Sequence, residues 1–340
     1  MHIELKQRSH YLEGAPVSTI YFGGGTPSLL SADDINRLIE TVHQNFNVPN
    51  LIECTMEANP DDLTVQYLRQ LRSTSINRLS IGVQSFKEQD LQYMGRAHTA
   101  VQADYAIKAA QDAGFPDLSI DLIYGTPGLS DREWKANLHK VRELQIPHFS
   151  SYALTVEEKT ALHSDIRSKK KSPVHPEQAA EQFGILEEFA STNCFDHYEI
   201  SNLALPGRYA VHNTSYWLGL PYLGAGPSAH SFNGVSRRAN VCNNAGYITS
   251  INDSGDSTHE TELLSVTDQV NEYVMTSIRT IWGCDTDLVA RKWGPEYQED
   301  LLKKSIEIEQ RGHLLNEGAV LQLTTHGKLF ADRIASDLFF

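Results

Sequence analysis

A run of three glycines is the first place where this sequence could support chemistry. Gly23-Gly24-Gly25-Thr26 directly follows the predicted strand Val17–Phe22. Glycines at the carboxyl end of a strand let a ligand approach the backbone without a Cβ atom in the way, and ligands of parallel α/β sheets bind beyond those strand ends. Neither a Gly-Lys-Ser/Thr phosphate loop nor a Gly-x-Gly-x-x-Gly dinucleotide pattern is present. The run is therefore either a ligand-binding loop or a tight turn without a ligand.

Four further polar residues lie within predicted strands or shortly after them: Glu57, Gln84, Arg96 and Asp121. A carboxylate in an otherwise apolar strand costs free energy unless it is paired. Any one of the four fits a structural hydrogen bond or ion pair equally well. All four at one rim of a barrel favour a ligand pocket. Its ligand would offer hydroxyls or an amine to the carboxylates and a carboxylate to Arg96.

The elements that would position these residues alternate between strand and helix over the first 200 residues. Helices with capping residues, such as those starting at Ser31 and Ser130, separate the strands. This spacing predicts βαβ units and a parallel sheet, and five or six units fit an incomplete (β/α) barrel rather than a complete one. The predicted strands are Val17–Phe22, Ile52–Glu57, Arg78–Val83, Leu118–Ile123, Phe149–Leu154 and His197–Ile200.

The sequence predicts three domains, at residues 1–200, 201–259 and 260–340. The second is a connecting region rich in Gly, Pro, Asn and Ser, with residues 251–258 as an exposed turn or linker. The third reads as helices followed by a hairpin of His313–Leu315 and Ala319–Leu323, and by a last helix over Thr324–Phe340. Helices followed by a small hairpin resemble a winged-helix unit.

Composition excludes several classes of function. The 340 residues include 29 Lys and Arg against 43 Asp and Glu, which gives a net charge of −14. An acidic chain does not favour a nucleic-acid-binding face, since phosphate contacts need clustered basic residues. No apolar run approaches membrane-spanning length, and no secretory signal is evident. The four cysteines, at positions 54, 194, 242 and 284, are too far apart for a zinc or cluster loop, and they predict a reducing cytoplasm.

Several motifs in order resemble the radical-SAM family, and more narrowly the oxygen-independent coproporphyrinogen III oxidase-like group. They are Gly-Gly-Gly-Thr-Pro-Ser, Glu57-Ala58-Asn59-Pro60, the stretch from Arg78 to Phe86, and the stretch from Asp121 to Pro127. The resemblance covers nearly the whole chain. It implies that Gly24, Gly25 and Thr26 contact the methionine end of S-adenosylmethionine. It also implies S-adenosylmethionine contacts for Glu57, Gln84, Arg96 and Asp121.

A second signature resembles the haem-chaperone (HemW) branch of that group. It is the HNxxYW motif formed by residues 212–217, from His212 to Trp217. By its residue type alone, a single histidine in a loop fits a hydrogen-bonding role. The resemblance implies that His212 binds haem, and a neutral imidazole is a usual axial ligand of haem iron. Tyr216 and Trp217 would offer flat apolar surface, while His230 and His197 are weaker candidates.

The chain departs from the radical-SAM pattern in one respect. The family holds a [4Fe-4S] cluster with a CxxxCxxC loop that precedes the glycine motif, and none of the 22 residues before Gly23 is a cysteine. Either Met1 is an internal start of a shortened chain, which we favour, or the lineage has discarded the cluster. We expect no reductive cleavage of S-adenosylmethionine by this chain. We also expect a barrel without its first strand, with no cluster ligands among its residues.

These inferences combine into one expected function and two alternatives. The resemblance implies a cytoplasmic haem-binding chaperone that delivers haem to acceptor proteins, with a pocket for S-adenosylmethionine. The first alternative is an oxygen-independent coproporphyrinogen III oxidase, against which the HNxxYW motif and the missing cysteines both count. The second is a metal-dependent hydrolase on an α/β barrel. That class favours a His-x-His pair at a strand end, and none occurs among the 14 histidines.

Overall fold

A computed structural model describes every residue from Met1 to Phe340. The strands are β1 (Thr19–Phe22), β2 (Glu53–Ala58), β3 (Arg78–Gln84), β4 (Asp117–Tyr124), β5 (His148–Ala153), β6 (Asp196–Glu199), β7 (Asn202–Ala204), β8 (His230–Phe232), β9 (Ser236–Asn240), β10 (His259–Leu263), β11 (Cys284–Asp285), β12 (Leu314–Glu317) and β13 (Val320–Leu323). The helices are α1 (His2–Gln7), α2 (Ala32–Asn45), α3 (Val65–Leu71), α4 (Glu88–Met94), α5 (Ala100–Asp112), α6 (Asp131–Glu143), α7 (Ala161–Arg167), α8 (Pro176–Thr192), α9 (Val211–Trp217), α10 (Asn244–Ser254), α11 (Val266–Ser277), α12 (Thr286–Trp293), α13 (Pro295–Gln310), α14 (Thr325–Lys328) and α15 (Ala331–Asp337).

The chain divides into two compact units. The barrel unit comprises Thr19–Ile35 and Glu53–Ala210, and the second unit comprises Met1–Ser18, Asn36–Ile52 and Val211–Phe340. The barrel unit contains a seven-stranded sheet in the order β1-β2-β3-β4-β5-β7-β6. Strands β1 to β5 are parallel, and β7 lies antiparallel between β5 and β6. The α/β class and the incomplete (β/α) barrel are therefore confirmed.

The two faces of this sheet differ in polarity because side chains alternate along each strand. One face carries buried apolar side chains from successive strands, including Met56, Leu79, Ile81, Ile120 and Leu122. This apolar face forms the core of the barrel unit. Capping boxes define where two of the unit's helices begin: Thr99 with Gln102 at α5, and Ser130 with Glu133 at α6.

In the second unit, a buried carboxylate connects helix α1 to residues far along the chain. Glu4 is fully buried and accepts hydrogen bonds from the Asn240 side chain at 2.6 Å, the Tyr247 hydroxyl at 2.6 Å and the Gly226 backbone N–H at 2.8 Å. Arg8, one helical turn away, pairs with the same carboxylate at 3.2 Å. Every acceptor position of Glu4 is thus engaged, as a buried charge requires.

The C-terminal part of the second unit has the element order of a winged helix. Helix α11, the short strand β11, helices α12 and α13, and the hairpin β12–β13 follow in sequence, and the three strands pair in the order β11-β13-β12. Its core contains Val274, Val289, Leu301, Leu321 and Leu338, all fully buried or nearly so. The predicted winged-helix-like order of elements is present, while the division into domains at 1–200, 201–259 and 260–340 stays a prediction.

All six predicted strands are present with ends displaced by one or two residues, but three details differ from the expectation. Strand β7 was not predicted. The predicted linker at 251–258 is partly wrong, because α10 continues to Ser254 and buries Tyr247 and Ile251. The predicted last helix is two short helices, α14 and α15, since Leu329 and Phe330 at the break are exposed and leave no continuous apolar stripe.

Candidate functional site

The glycine loop after β1 closes onto Glu57. The Gly24 backbone N–H donates to Oε2 of Glu57 at 3.0 Å, and the Tyr21 hydroxyl donates to Oε1 at 2.8 Å. Gly24 has φ of +74° and Gly25 has φ of +64°, a region that side chains disfavour. A Cβ atom at Gly23 would lie 2.5 Å from the Tyr21 ring and 3.0 Å from Oε1 of Glu57. The loop therefore needs glycine for both conformation and close approach.

A bulge at the end of β3 places Gln84 next to Arg96. The β3–β4 register shifts between Ile81 and Gln84, and Gln84 has φ of +65°, which is rare for a residue with a side chain. Gly82 leaves room for both neighbours, because a Cβ atom there would lie 3.0 Å from Nε2 of Gln84 and 3.3 Å from the Arg96 guanidinium. Arg96 donates to the side-chain oxygen of Asn59 at 3.1 Å. Bulges often re-aim a side chain at a functional site.

Asp121 supplies a second carboxylate beside Glu57. Desolvation raises the pKa of Asp121 to about 6, and the negative charge of Glu57 adds to the increase. The nearby Ser150 hydroxyl and the positive charges of Arg96 and Arg78 oppose it. Burial, together with the charges of Asp121, Glu199 and Glu57, raises the pKa of Tyr152 to about 12. A carboxyl group whose pKa is raised beside a second carboxylate favours a ligand with positive charge.

The remaining predicted residues of the loop make fewer contacts. A Cβ atom at Gly25 would have no neighbour within 4 Å, and the Thr26 carbonyl accepts from the Leu29 N–H at 3.1 Å to begin a short turn. The structure thus brings Gly24, Glu57 and Asp121 to one edge of the sheet, with Gln84 and Arg96 beside each other at the end of β3. His212 belongs to the second unit.

The sequence analysis missed that the face opposite the apolar core is polar along its whole length. Strand register places polar residues of β2 to β5 side by side there: Thr55, Glu57, Arg78, Ser80, Ser119, Asp121, His148 and Ser150. His148 bonds Ser119 at 2.7 Å and the Tyr198 hydroxyl at 2.8 Å. Burial, with the nearby charge of Arg78, lowers the pKa of His148 well below its usual value. The strict polar–apolar alternation of β2 and β3 was the available signal.

In the second unit, His212 begins a row of aromatic side chains. His212 and Tyr216 lie one turn apart on α9, with Nε2 of His212 2.9 Å from the Tyr216 hydroxyl. Edge-on ring contacts continue from Tyr216 to Tyr222 at 4.6 Å between centroids, and a tilted contact links Tyr222 to Phe232 at 6.2 Å. The Arg237 guanidinium lies over the Phe232 ring. Burial raises the pKa of Tyr216 to about 12, so its hydroxyl stays protonated at neutral pH.

A different side of α9 carries buried polar atoms without partners. The side-chain nitrogens of Asn213 and Trp217 and the hydroxyl of Thr214 are buried and make no hydrogen bond. Residues 213, 214 and 217 form one stripe on a helix, and His212 and Tyr216 form another. Buried polar groups usually have hydrogen-bond partners. These three atoms therefore indicate that a water or a ligand group forms hydrogen bonds to this side of α9.

The cysteines do not fit an iron–sulfur cluster. Cys54 and Cys284 are buried, and burial raises the pKa of each thiol to about 12, although cluster ligands must be thiolates. Cys194 and Cys242 are exposed. No three His, Cys, Asp or Glu side chains are grouped to hold a metal ion. An iron–sulfur cluster has no ligand set among the residues of this chain.

Comparisons with known proteins relate both units to one family. The model of the Radical SAM superfamily matches residues 3–141. The heme chaperone HemW of Bacillus subtilis (strain 168) is 30% identical over 319 residues, which cover 94% of this chain and 84% of that protein. The heme chaperone HemW of Escherichia coli (strain K12) is 30% identical over 332 residues, which cover 95% and 84%.

A solved structure has the same fold. Coproporphyrinogen III oxidase (HemN) from Escherichia coli, a radical SAM enzyme, superimposes with a TM-score of 0.84 over 99% of this chain and 81% of its own length. Its sequence identity is 22%, so this likeness concerns the fold alone.

Proposed function

Because this chain belongs to the HemW family of radical-SAM proteins, we propose that it binds haem and delivers it to acceptor proteins. The observation that carries the proposal is the His212–Tyr216 pair at the start of the aromatic row. Imidazole is a usual axial ligand of haem iron, and aromatic rings provide flat surface for a macrocycle. His212 would hold the iron, which is part of the cargo.

The carboxyl edge of the barrel sheet fits S-adenosylmethionine. Glu57 and Asp121 would face the positive charges of the ligand, and Arg96 would face its carboxylate. Gly24, Gly25 and Thr26 leave the loop backbone accessible, and Gln84 would contribute an amide. The raised pKa of Asp121 supports a cationic ligand here. S-adenosylmethionine would supply a sulfonium group, and the residues of this chain would bind and orient it.

Radical chemistry has no support in the residues of this chain. The thiols are dispersed, and two of them are buried in protonated form, so we derive no reaction step through a cluster. This disagreement counts against a coproporphyrinogen III oxidase activity of the chain as it stands.

We place the protein's action in the cytoplasm. Among its helices, none combines the length and the apolar character needed to cross a bilayer.

Haem titration followed by Soret absorbance tests the haem proposal. We expect stoichiometric binding by the wild type and a loss of about tenfold or more in affinity for His212→Ala. His43→Ala is the matched control, since His43 is an exposed histidine on helix α2 of the same unit, and it should titrate like the wild type. Identical curves for the wild type and His212→Ala would remove His212 from the site.

A further inference from the structure

Gln84 has a backbone conformation that residues with a side chain disfavour. Its φ is +65°, and the backbone N–H of Ser85 donates to the carbonyl of Val83 at 2.8 Å. A hydrogen bond between residues two positions apart, around a central residue with positive φ, is the pattern of the rare and strained form of the γ-turn. The same carbonyl accepts from Nε2 of His98 at 3.0 Å. Strain of this kind persists only where the surrounding structure enforces it, and it clusters at ligand-binding sites.

A buried hydrogen-bond network begins at the residue after this turn. The Ser85 hydroxyl donates to Oδ2 of Asp90 at 2.7 Å. It accepts from the side-chain amide of Asn137 at 3.1 Å and from the backbone N–H of Lys87 at 3.0 Å. Oδ1 of Asn137 accepts from the Phe86 N–H at 3.0 Å, and Ser85, Asp90 and Asn137 are each at most 2% exposed. Because a hydroxyl has one donor and two acceptor positions, Ser85 is fully engaged and fixes the backbone that leaves the turn.

Asp90 belongs to this network although its ion pair is long. Nζ of Lys87 lies 3.8 Å from Oδ1 of Asp90. It lies closer to Oε2 of Glu133, at 2.9 Å, and to the Gly128 carbonyl, at 2.7 Å. Burial raises the pKa of Asp90, while the Ser85 hydroxyl and Lys87 oppose the increase. A loosely paired buried carboxylate contributes little stability through its charge, because desolvation offsets the attraction. The short contact of Asp90 is the hydrogen bond from Ser85, so its geometry supports the role of holding that hydroxyl.

We propose that Ser85 and Asp90 are positioning residues, which hold the γ-turn at Gln84 and so aim its side-chain amide at the ligand of the carboxyl edge. This proposal rests on the S-adenosylmethionine site proposed above, to which Gln84 contributes. A bulge changes the direction of the side chains that it carries, and the bulge at the end of β3 includes the left-handed Gln84. Because the turn is held in advance, ligand binding does not have to order the amide.

Four variants test whether the network acts through Gln84. Ser85→Ala and Asp90→Leu should each lower the affinity for S-adenosylmethionine, measured by calorimetry, about tenfold. Asp90→Asn removes the charge but keeps an oxygen that accepts from the Ser85 hydroxyl, so it should bind within about twofold of the wild type. In a Gln84→Ala background, Ser85→Ala should have no further effect on affinity, because a positioning residue acts only through the side chain that it positions.

Asn77→Ala is the matched control for stability. Asn77 precedes β3 at the opposite end of the strand and accepts from the Cys54 N–H at 2.8 Å. Its substitution should lower the Tm by a few degrees, as Ser85→Ala should, but the affinity should equal that of the wild type. An equal loss of affinity in Asn77→Ala would assign the effect to stability and overturn the proposal. A full effect of Ser85→Ala in the Gln84→Ala background, or an Asp90→Asn that binds as poorly as Asp90→Leu, would also overturn it.

Hydrogen exchange in the ligand-free protein separates a failure of this proposal from a failure of the proposed function. The Ser85 N–H forms the γ-turn bond, and it should exchange about tenfold faster in Asp90→Leu than in the wild type, but at the wild-type rate in Asn77→Ala. Faster exchange supports the positioning role whether or not the wild type binds S-adenosylmethionine, and absence of binding then overturns the proposed ligand alone. Unchanged exchange of the Ser85 N–H in Asp90→Leu overturns the positioning role for any ligand.

Discussion

The Tyr216 hydroxyl lies 2.9 Å from Nε2 of His212 and occupies that nitrogen in the ligand-free protein. Nε2 is the ring nitrogen farther from Cβ, and a macrocycle therefore reaches it with less crowding than Nδ1. If Nε2 binds haem iron, the hydrogen bond to Tyr216 must break first. Tyr216 is 39% exposed, so its ring has room to move.

Tyr216→Phe should therefore bind haem more tightly. The substitution removes a competing hydrogen bond worth about 0.5–1.5 kcal/mol, which corresponds to a Kd lower by about two- to tenfold. The gain should be in the association rate, because haem iron no longer has to displace the Tyr216 hydroxyl from Nε2 of His212. Stopped-flow Soret measurements separate the association and dissociation rates.

The matched control for that prediction is Tyr222→Phe. Tyr222 belongs to the same aromatic row, but its hydroxyl contacts Arg237 at 3.3 Å and not the histidine. Its haem kinetics should equal those of the wild type. Weaker binding by Tyr216→Phe would mean that the hydroxyl orients His212 for ligation, in contradiction of the prediction.

S-adenosylmethionine should bind more tightly as pH rises through the pKa of Asp121. The folded protein has this pKa near 6, so the carboxylate is mostly protonated at pH 5 and mostly ionised at pH 7. A cationic ligand stabilises the ionised form, and the affinity should increase about tenfold over that interval. Calorimetry from pH 5 to 7 measures it.

Asp121→Asn is the comparison for the pH experiment. The amide cannot ionise, so the affinity of this variant for S-adenosylmethionine should be low and nearly constant from pH 5 to 7. An identical rise with pH in the wild type and in Asp121→Asn would assign the titration to another group.

Gly23→Ala should weaken ligand binding. The new Cβ would lie 2.5 Å from the Tyr21 ring and 3.0 Å from Oε1 of Glu57, so the Tyr21 side chain must move, and the Tm should fall by a few degrees. Their hydrogen bond would be displaced, and we expect S-adenosylmethionine affinity to fall about tenfold. Gly184→Ala is the control, because it lies in helix α8 with nothing near its Cβ position. It should bind normally and stabilise the protein by about 0.5–1 kcal/mol.

Glu4→Ala should strongly destabilise the second unit. It would leave Arg8 without its carboxylate and would remove the acceptor of Asn240 and Tyr247. Breaking a buried ion pair in this way costs about 3–5 kcal/mol. Urea unfolding followed by circular dichroism measures the loss, and Glu262→Ala on the exposed strand β10 should change the free energy of unfolding by less than about 0.5 kcal/mol. Equal stability of both variants would contradict the role of Glu4.

The strands and the candidate edge residues were predictable because their patterns are local. Alternation along β2 and β3 and polar residues at strand ends are visible within a few positions. Strand β7 was not predictable, since its three residues, Asn202–Ala204, are too few to show the alternation of a strand. The strand depends on pairing with β5 and β6. Part of helix α10 was predicted as a loop because its Asn, Ser and Gly residues have low helix propensity. Burial of Tyr247 and Ile251 stabilises the helix in spite of this propensity.

Contacts between distant positions also escaped the sequence analysis. Nothing local links Tyr21 to Glu57, which lie 36 positions apart and meet only when β1 pairs with β2. The ion pair of Asp117 with Arg208, and not with its cross-strand neighbour Arg78, is likewise visible only after folding. The identity of a motif residue was predictable, whereas its hydrogen-bond partners were not.

The contacts of Glu4 impose an order of events during synthesis. Its partners Asn240 and Tyr247 are more than 230 positions away, so the first helix leaves the ribosome long before they exist. All strands of the large sheet lie between these positions, and that unit can complete its pairing while helix α1 waits. Slow closure of such a long loop leaves the carboxylate of Glu4 hydrated until Tyr247 has been translated. A segment that waits this long is a candidate for chaperone binding on the nascent chain.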